Sequence, residues 1–257
     1  MRMQRQGGAA AFSETADAYQ QTMAIALAPV AAEVVRRATL RPGESVIDVG
    51  SGTGNAAALA VGEARRVVGL DAAAGMLAIA RRRVPDATFV EADFGALPLD
   101  DGHADVTLAV HALLFAEDRV ATLREWRRVT RPGGRLSLSV PGPGDVVPSS
   151  VLGPVYDAYG IEWGDDYPSA DDVVGWASDA GWTRLDVATD PAMGIPLADD
   201  EAFRTWLRVG ARNRLTSSWE PERREAFARD LMTAAPRDRS GGYRLPFGAI
   251  YLTATRD

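Results

Sequence analysis

Val46-Ile-Asp-Val-Gly-Ser-Gly-Thr-Gly54 sets three glycines at alternate positions, between a short apolar run and an alanine-rich stretch that starts at Asn55. Glycine lets the backbone turn sharply and come close to a ligand, and a helix that follows offers N–H groups with no intrahelical partner. The spacing discriminates among glycine-rich loops. A dinucleotide fingerprint places its third glycine three residues after the second, at position 55, and Asn55 stands there. No Gly-Lys-Ser/Thr follows, which excludes a P-loop. Read alone, the segment is also compatible with a bare tight strand–helix turn.

Working outward, Asp71 closes Val67-Val-Gly-Leu-Asp, and a third apolar run ends in Glu91-Ala-Asp93-Phe94. A carboxylate can accept from both hydroxyls of a ribose, and an acceptor beside an aromatic ring suits an adenine. Asp48, Asp71 and Asp93 thus stand at three successive strand ends around one glycine loop.

The rhythm of the chain gives the fold class. Residues 12–38 read as helix with Pro29 as a break or a new first turn. Strands follow at Ser45–Val49, Arg66–Leu70, Thr88–Glu91, Asp105–Val110 and Leu136–Val140, and helices at Asn55–Ala64, Ala73–Arg83 and Arg119–Val129. Arg131-Pro-Gly-Gly134 reads as a turn. Alternating strands and helices with right-handed crossovers predict a doubly wound α/β sheet. Beyond Pro-Gly-Pro-Gly (141–144), residues 148–168 carry aromatics without clean period. Ala170–Ala180 reads as helix, Thr183–Thr189 as strand, 199–234 as mostly arginine-rich helix, and Ala249–Thr255 as the closing strand. The expectation is one domain: an N-terminal helical cap (1–44), a core (45–141), later elements with cap insertions (142–248) and a final strand (249–257).

Composition narrows the chemistry. The chain has 257 residues, no cysteine and two histidines, His103 and His111. Disulfides, thiolate zinc sites and a cysteine nucleophile are therefore excluded, and no histidine-rich metal site is possible. All 28 side-chain cations are arginines, so no lysine can form a Schiff base. The net charge of −7 disfavours a phosphate-tracking nucleic-acid surface. No apolar stretch reaches the ~18 residues of a membrane span, and the first eleven residues lack the apolar run of a secretory signal. A cytoplasmic protein is expected.

With these motifs assembled, the chain resembles the class I S-adenosylmethionine (SAM)-dependent methyltransferases, in particular the small-molecule branch called type 11 or 25. The resemblance rests on the glycine loop, Gly-Leu-Asp71, Glu-Ala-Asp93-Phe, Leu97-Pro-Leu-Asp-Asp-Gly-His-Ala-Asp105-Val and Arg131-Pro-Gly-Gly-Arg-Leu136, in the family's order. It implies a seven-stranded, mostly parallel sheet whose last strand inserts antiparallel. It also implies that Asp48 and Gly50, Ser51, Gly52, Thr53 and Gly54 line the methionine and ribose of SAM, whose product is S-adenosylhomocysteine (SAH). By the same resemblance Asp71 binds the ribose hydroxyls, Ala72 and Met76 pack near the adenine, and Ala92, Asp93 and Phe94 enclose it. Val110 and His111 face the transferring methyl, and Tyr19 is the aromatic laid over the cofactor from the N-terminal helix.

Methyl transfer is an in-line displacement, so the protein has only to orient a nucleophile, exclude water and sometimes take a proton. Candidates for the base are few, and His111, with an ordinary pKa near 6.5, is the one singled out; the plainer reading is a hydrogen-bonding or packing residue beside the cofactor. His103 reads as a solvent-facing turn residue. The pairs Asp165-Asp166, Asp171-Asp172 and Asp199-Asp200 could suggest magnesium, but the last two suit helix starts better. Tyr156, Tyr159, Trp163, Trp206 and Trp219 are either an acceptor pocket or cap core. Arg204, Arg208, Arg212 and Arg214 are either an anion clamp or a solvated face. The acceptor is expected to be a small molecule with an oxygen, nitrogen or carbon nucleophile, without nucleic acid or membrane as partner. A non-catalytic SAM-binding protein and an NAD-dependent oxidoreductase are the alternatives. Oligomeric state and acceptor identity have no legible signal.

Overall fold

A computed structural model describes residues 8–142, 148–161, 167–190, 194–209 and 211–257. Helices α1 (Gly8–Glu14), α2 (Ala16–Gln21) and α3 (Met23–Ala38) lead into strand β1 (Ser45–Val49). Then follow α4 (Asn55–Val61), β2 (Arg66–Asp71), α5 (Ala74–Arg83), β3 (Thr88–Glu91), β4 (Ala104–Val110), α6 (Arg119–Val129) and β5 (Thr130–Gly142). The second half holds α7 (Pro148–Ala158), α8 (Ala170–Asp179), β6 (Thr183–Asp190), β7 (Gly194–Leu197), α9 (Asp200–Leu207), α10 (Ala211–Thr216), α11 (Pro221–Ala234), β8 (Tyr243–Pro246) and β9 (Gly248–Thr255).

Seven strands pair in the order β3-β2-β1-β4-β5-β9-β6, and β9 runs antiparallel to both its neighbours. Alternation along the strands divides two cores. Val46, Val67, Val106 and Leu108 pack with α3, α4 and α5 on one face. Ile47, Val68, Leu70, Leu136 and Leu138 pack with Leu123 and Trp126 of α6 and Val173 and Ala177 of α8 on the other. Helices on both faces of a parallel core are what the βαβ rhythm predicts.

Several expectations are corrected. Pro29 does not break α3, because it sits on the solvent side of that helix. The amide it lacks would have bonded the carbonyl of Ile25, one turn back, and Ile25 is itself exposed. The Arg131–Gly134 turn is absorbed into the start of β5, where an irregularity in the β4 pairing at Ala104/Val106 accommodates it. Residues 148–158 form α7, whose Pro154 and small residues blur its period. The mostly helical stretch read over 199–234 divides into three helices, and β7 and β8 form a two-stranded sheet that the sequence reading did not anticipate. Among the described residues, no helix is long and apolar enough to cross a membrane.

Candidate active site at the carboxyl ends of the strands

The glycine loop leaves β1 and enters α4 with φ of +68° at Gly50, +54° at Gly52 and +86° at Gly54. Only glycine takes such angles in succession without steric cost. At Gly50 the demand is also spatial: a Cβ there would lie 2.4 Å from that of Ala112, just beyond β4. The Gly50 and Ser51 amides both donate to the Leu70 carbonyl, at 2.8 and 3.0 Å, which locks the loop to β2.

Asp48 is buried, with its Oδ2 accepting from the Ala57 amide (3.1 Å) and its Oδ1 without a partner among the described residues. Burial pushes its carboxyl up to about 7; the Ala57 bond opposes this and Asp71 adds to it. Asp71 accepts from the Gly52 amide (2.8 Å) through Oδ2 and from Ala73 (2.8 Å) through Oδ1. Burial raises it too, against those two bonds. The Asp71 carboxylate thus already braces the loop and the entry to α5, a task the sequence reading did not give it.

Tyr19 extends from α2 over this loop, its hydroxyl 3.9 Å from where a Gly52 Cβ would stand. Burial and the carboxylates of Asp71 and Asp48 push that hydroxyl well above its ordinary value. Tyr19, Leu27, Asp48, Ser51, Thr53 and Val110 line a partly open space of about 20 Å³, room for roughly one water. Met76 packs with Ala16, Ala73 and Ile79 under α1 and α2, and Ala72 lies half-buried beside them. Ala92 donates to the Asp71 carbonyl (3.0 Å). Asp93 is exposed and folds back onto the Gly95 amide (2.7 Å), while the Phe94 carbonyl accepts from the Trp126 indole (2.8 Å). The three acidic strand ends therefore differ: Asp48 is buried, Asp71 half-buried and Asp93 open to solvent.

His111 follows β4 in the left-handed region, φ +57°, held where its amide donates to the Ser139 carbonyl (3.0 Å). Its Nδ1 lies 3.0 Å from Ser139 Oγ, its ring meets Phe247 edge-on at 5.5 Å, and its buried Nε2 has no partner among the described residues. Burial drives its pKa down to about 4. The ordinary value near 6.5 expected from sequence is thus corrected: the imidazole is neutral well below pH 7.

Other supports left little trace in the sequence. Arg83, last residue of α5, gives Nη1 to the Thr53 carbonyl (2.5 Å) and Asn55 Oδ1 (3.2 Å), and Asn55 Nδ2 donates to the Ala24 carbonyl (2.6 Å). Asn55 is thereby a tie between loop, α3 and α5, which a glycine there could not provide. Ser139 was signalled only by the period-two serines of Leu136-Ser-Leu-Ser-Val140, and Ser137 on the same face donates to the Val34 carbonyl (2.7 Å). Asp105 lies elsewhere. It accepts from Ser45 and pairs with Arg131, so these members of the sequence motifs fasten the amino ends of the strands.

The remaining candidates resolve as follows. His103 is a half-buried residue after a turn. Ser169 and Asp172 form a capping box on α8, and Asp199 caps α9. No group of three metal-ligating side chains exists among the described residues. Tyr156, Tyr159 and Trp219 pack around Phe227, and Trp206 is buried against Phe203, so these aromatics form cap core. Arg204 pairs with Glu225 at 2.7 Å. Trp163, Asp165, Asp166 and the side chains of Arg212 and Arg214 lie outside the described residues.

Comparison with known proteins agrees with the geometry. Residues 47–138 match the methyltransferase domain family. A demethylmenaquinone methyltransferase of Beutenbergia cavernae is 44% identical over 106 residues, covering 39% of this chain and 44% of the relative. One from Renibacterium salmoninarum is 32% identical over 162 residues, covering 56% of this chain and 68% of the relative. The chain thus spans less than half of the first relative and about two thirds of the second. The crystal structure of the YcgJ protein from Bacillus subtilis superposes with a TM-score of 0.60 at 18% identity, over 88% of this chain and 97% of that one. The chain belongs to the SAM-dependent methyltransferase family.

Proposed function

We propose that the protein transfers a methyl group from SAM to an oxygen, nitrogen or carbon nucleophile of a small molecule. The observation that carries this reading is the set of unmatched groups around the glycine loop. Buried polar atoms normally find partners, yet Asp48 Oδ1, Ser51 Oγ and His111 Nε2 have none among the described residues. Asp48 Oδ1 is a buried carboxylate oxygen suited to a cationic or N–H-bearing ligand group. The left-handed glycines leave the backbone bare where a ligand would approach. Family and loop geometry together make SAM the group that fits, and when bound it supplies an activated methyl on a sulfonium.

The residues divide the work. Asp71 holds the loop in place, and its second lone pairs remain for ribose hydroxyls. Asp48 and Ser51 receive the amino-acid end. Ala72, Met76 and Ala92 give an apolar bed for the base, with Asp93 at the rim as acceptor. Tyr19 and Leu27 exclude water above the loop. His111, neutral and desolvated, either accepts a proton at Nε2 or donates one, according to which tautomer Ser139 holds. Demethylmenaquinone, the acceptor in the names of both relatives, is a small molecule, which favours that acceptor class. The net charge of −7 disfavours nucleic acid.

Calorimetric titration with SAM, SAH and NAD is the first test. The reading expects SAM and SAH to bind and NAD to give no heat; tight NAD binding with none from SAM would sink it. Incubation with methyl-labelled SAM and a metabolite extract then separates an enzyme from a non-catalytic binder. Label transferred to a small acceptor is the expected result.

A further inference from the structure

A second concavity lies in the cap, between α9, α10 and α11, and encloses about 290 Å³. It shares no lining residue with the space at the glycine loop. Leu207, Phe227 and Ala228 supply an apolar floor, and Arg204, Arg208 and Arg224 stand around it. Arg204 is spent on structure: it pairs with Glu225 and reaches the Asp200 carbonyl, bracing α9 against α11. Arg208 and Arg224 are different. Both are exposed, and neither is paired with a carboxylate among the described residues.

Arg208 and Arg224 therefore line one apolar cleft without a carboxylate partner of their own, since Glu225, the acidic residue of the lining, is engaged by Arg204. An anion would pair with them. The guanidinium fork matches the paired oxygens of a carboxylate or phosphate. Pro221, at the first position of the fourteen-residue α11, also lines the cleft, so the amino end of that helix borders the same space. Phe227 is anchored from behind by Tyr156, Tyr159 and Trp219, which keeps the floor rigid. The volume is near the lower end of small-molecule sites.

We propose that this cleft is a binding site for an amphiphilic organic anion, its carboxylate or phosphate held by Arg208 and Arg224 and its hydrocarbon body on Leu207, Phe227 and Ala228. The site rests on the cap geometry alone and stands independently of the methyl-transfer reading.

The experiment titrates the full chain with octanoate, octyl phosphate, octanol and inorganic phosphate, in wild type and in Arg208→Ala and Arg224→Ala. Octanoate or octyl phosphate should bind at one site, and the better of the two identifies the head group. Octanol and inorganic phosphate should each bind at least about tenfold more weakly than the better amphiphile, because each lacks half of the recognition. Each alanine variant should lose about tenfold or more, the scale of one charge-assisted hydrogen bond, and Arg224→Lys should recover part of the loss. Octanol or inorganic phosphate binding as tightly as the better amphiphile would overturn the proposal. Affinity unchanged in both variants, or no binding of either amphiphile, would overturn it as well. Melting temperatures and SAM titration of the same samples verify folding. A protein that binds octanoate but not SAM refutes the methyl-transfer reading while leaving this site intact.

Discussion

At the scale of single residues, the site sets two buried groups against each other in pH. Asp48 has its folded pKa raised to about 7, above the carboxylate's ordinary value near 4. Its contribution to stability is present below about 4 and is lost as pH rises through 7. His111 is lowered to about 4, so its contribution is present above about 6.5 and is lost as pH falls toward 4. The slopes are opposite in sign over one window, and in wild type they offset. Single variants should unmask each. Asp48→Asn should melt higher than wild type at pH 7–8, by an amount worth at least ~1 kcal/mol, and lose that advantage toward pH 4. His111→Asn, which the left-handed backbone tolerates, should gain relative stability as pH falls from 6.5 to 4. Thermal melts from pH 4 to 8 check both; parallel curves for all three proteins would refute the assignments. The same burial bears on catalysis. If His111 takes the proton, the wild-type rate rises through pH ~4 and is flat from 5.5 to 8, and His111→Asn lowers turnover by ~10²–10⁴ with SAM affinity little changed. Near wild-type turnover in that variant removes the base role.

At the scale of elements, the double duty of Asp71 changes what its removal should do. Asp71→Ala strands the Gly52 and Ala73 amides as well as any ribose bond. SAM affinity should fall by about 10- to 150-fold, the equivalent of ~1.5–3 kcal/mol, and the melting temperature should drop too. Asp71→Asn keeps its carbonyl oxygen as an acceptor and should lie between the two. An alanine variant that binds SAM as wild type does would refute the assignment. The arm α1–α2 offers a second test. Tyr19 of the arm lies over the loop, and the space it bounds there, about 20 Å³, is far below the ~300 Å³ of a small-molecule site, which makes the arm the candidate gate. Phe12 holds the arm by edge contacts to Phe115 (5.3 Å) and Tyr19 (6.2 Å). Phe12→Ala should speed SAH release by about two- to twelve-fold, the value of one aromatic pair, measured by stopped-flow displacement. An unchanged rate would mean that the arm does not gate.

The same elements explain what the sequence disclosed. β1 to β4 and their helices were legible because a buried parallel strand is a continuous apolar run, and β1 and β2 are closed by Gly50 and Asp71. Asn55 was informative as a departure, since it ruled out one glycine code and proved to be a tie. Arg83 and Ser139 were not legible, because their partners are backbone or ring atoms 28 to 30 residues away in the chain. The pKa of His111 was out of reach for the same reason, as burial depends on what Phe247 brings back. In the cap, α7 hid behind Pro154, and the β7–β8 pairing joins segments separated by three helices. Long-range pairing leaves no local period to read.

For the whole molecule, the question is whether the cap is a separate body. Phe203, Trp206, Phe227, Leu231 and Tyr243 of the cap belong to one continuous cluster with Val46, Ala57, Val106 and Leu108 of the sheet. Tyr243 and Phe203, 4.8 Å apart, also join the β8 strand that leads into β9, the strand that closes the main sheet. A shared core is the physical ground for cooperative unfolding, and on it we propose that cap and sheet melt together. Trp206→Ala should therefore destabilise the entire chain by ~3–5 kcal/mol, although Trp206 lies far in sequence from the glycine loop. Far-UV circular dichroism and the fluorescence of Trp126 and Trp182, both buried on the opposite face of the sheet, should report one coincident transition in wild type and variant. Two separated transitions, with the cap melting first and the opposite-face tryptophans unmoved, would refute the single-domain reading. The anion cleft of the cap would then have to be sought in an autonomous unit.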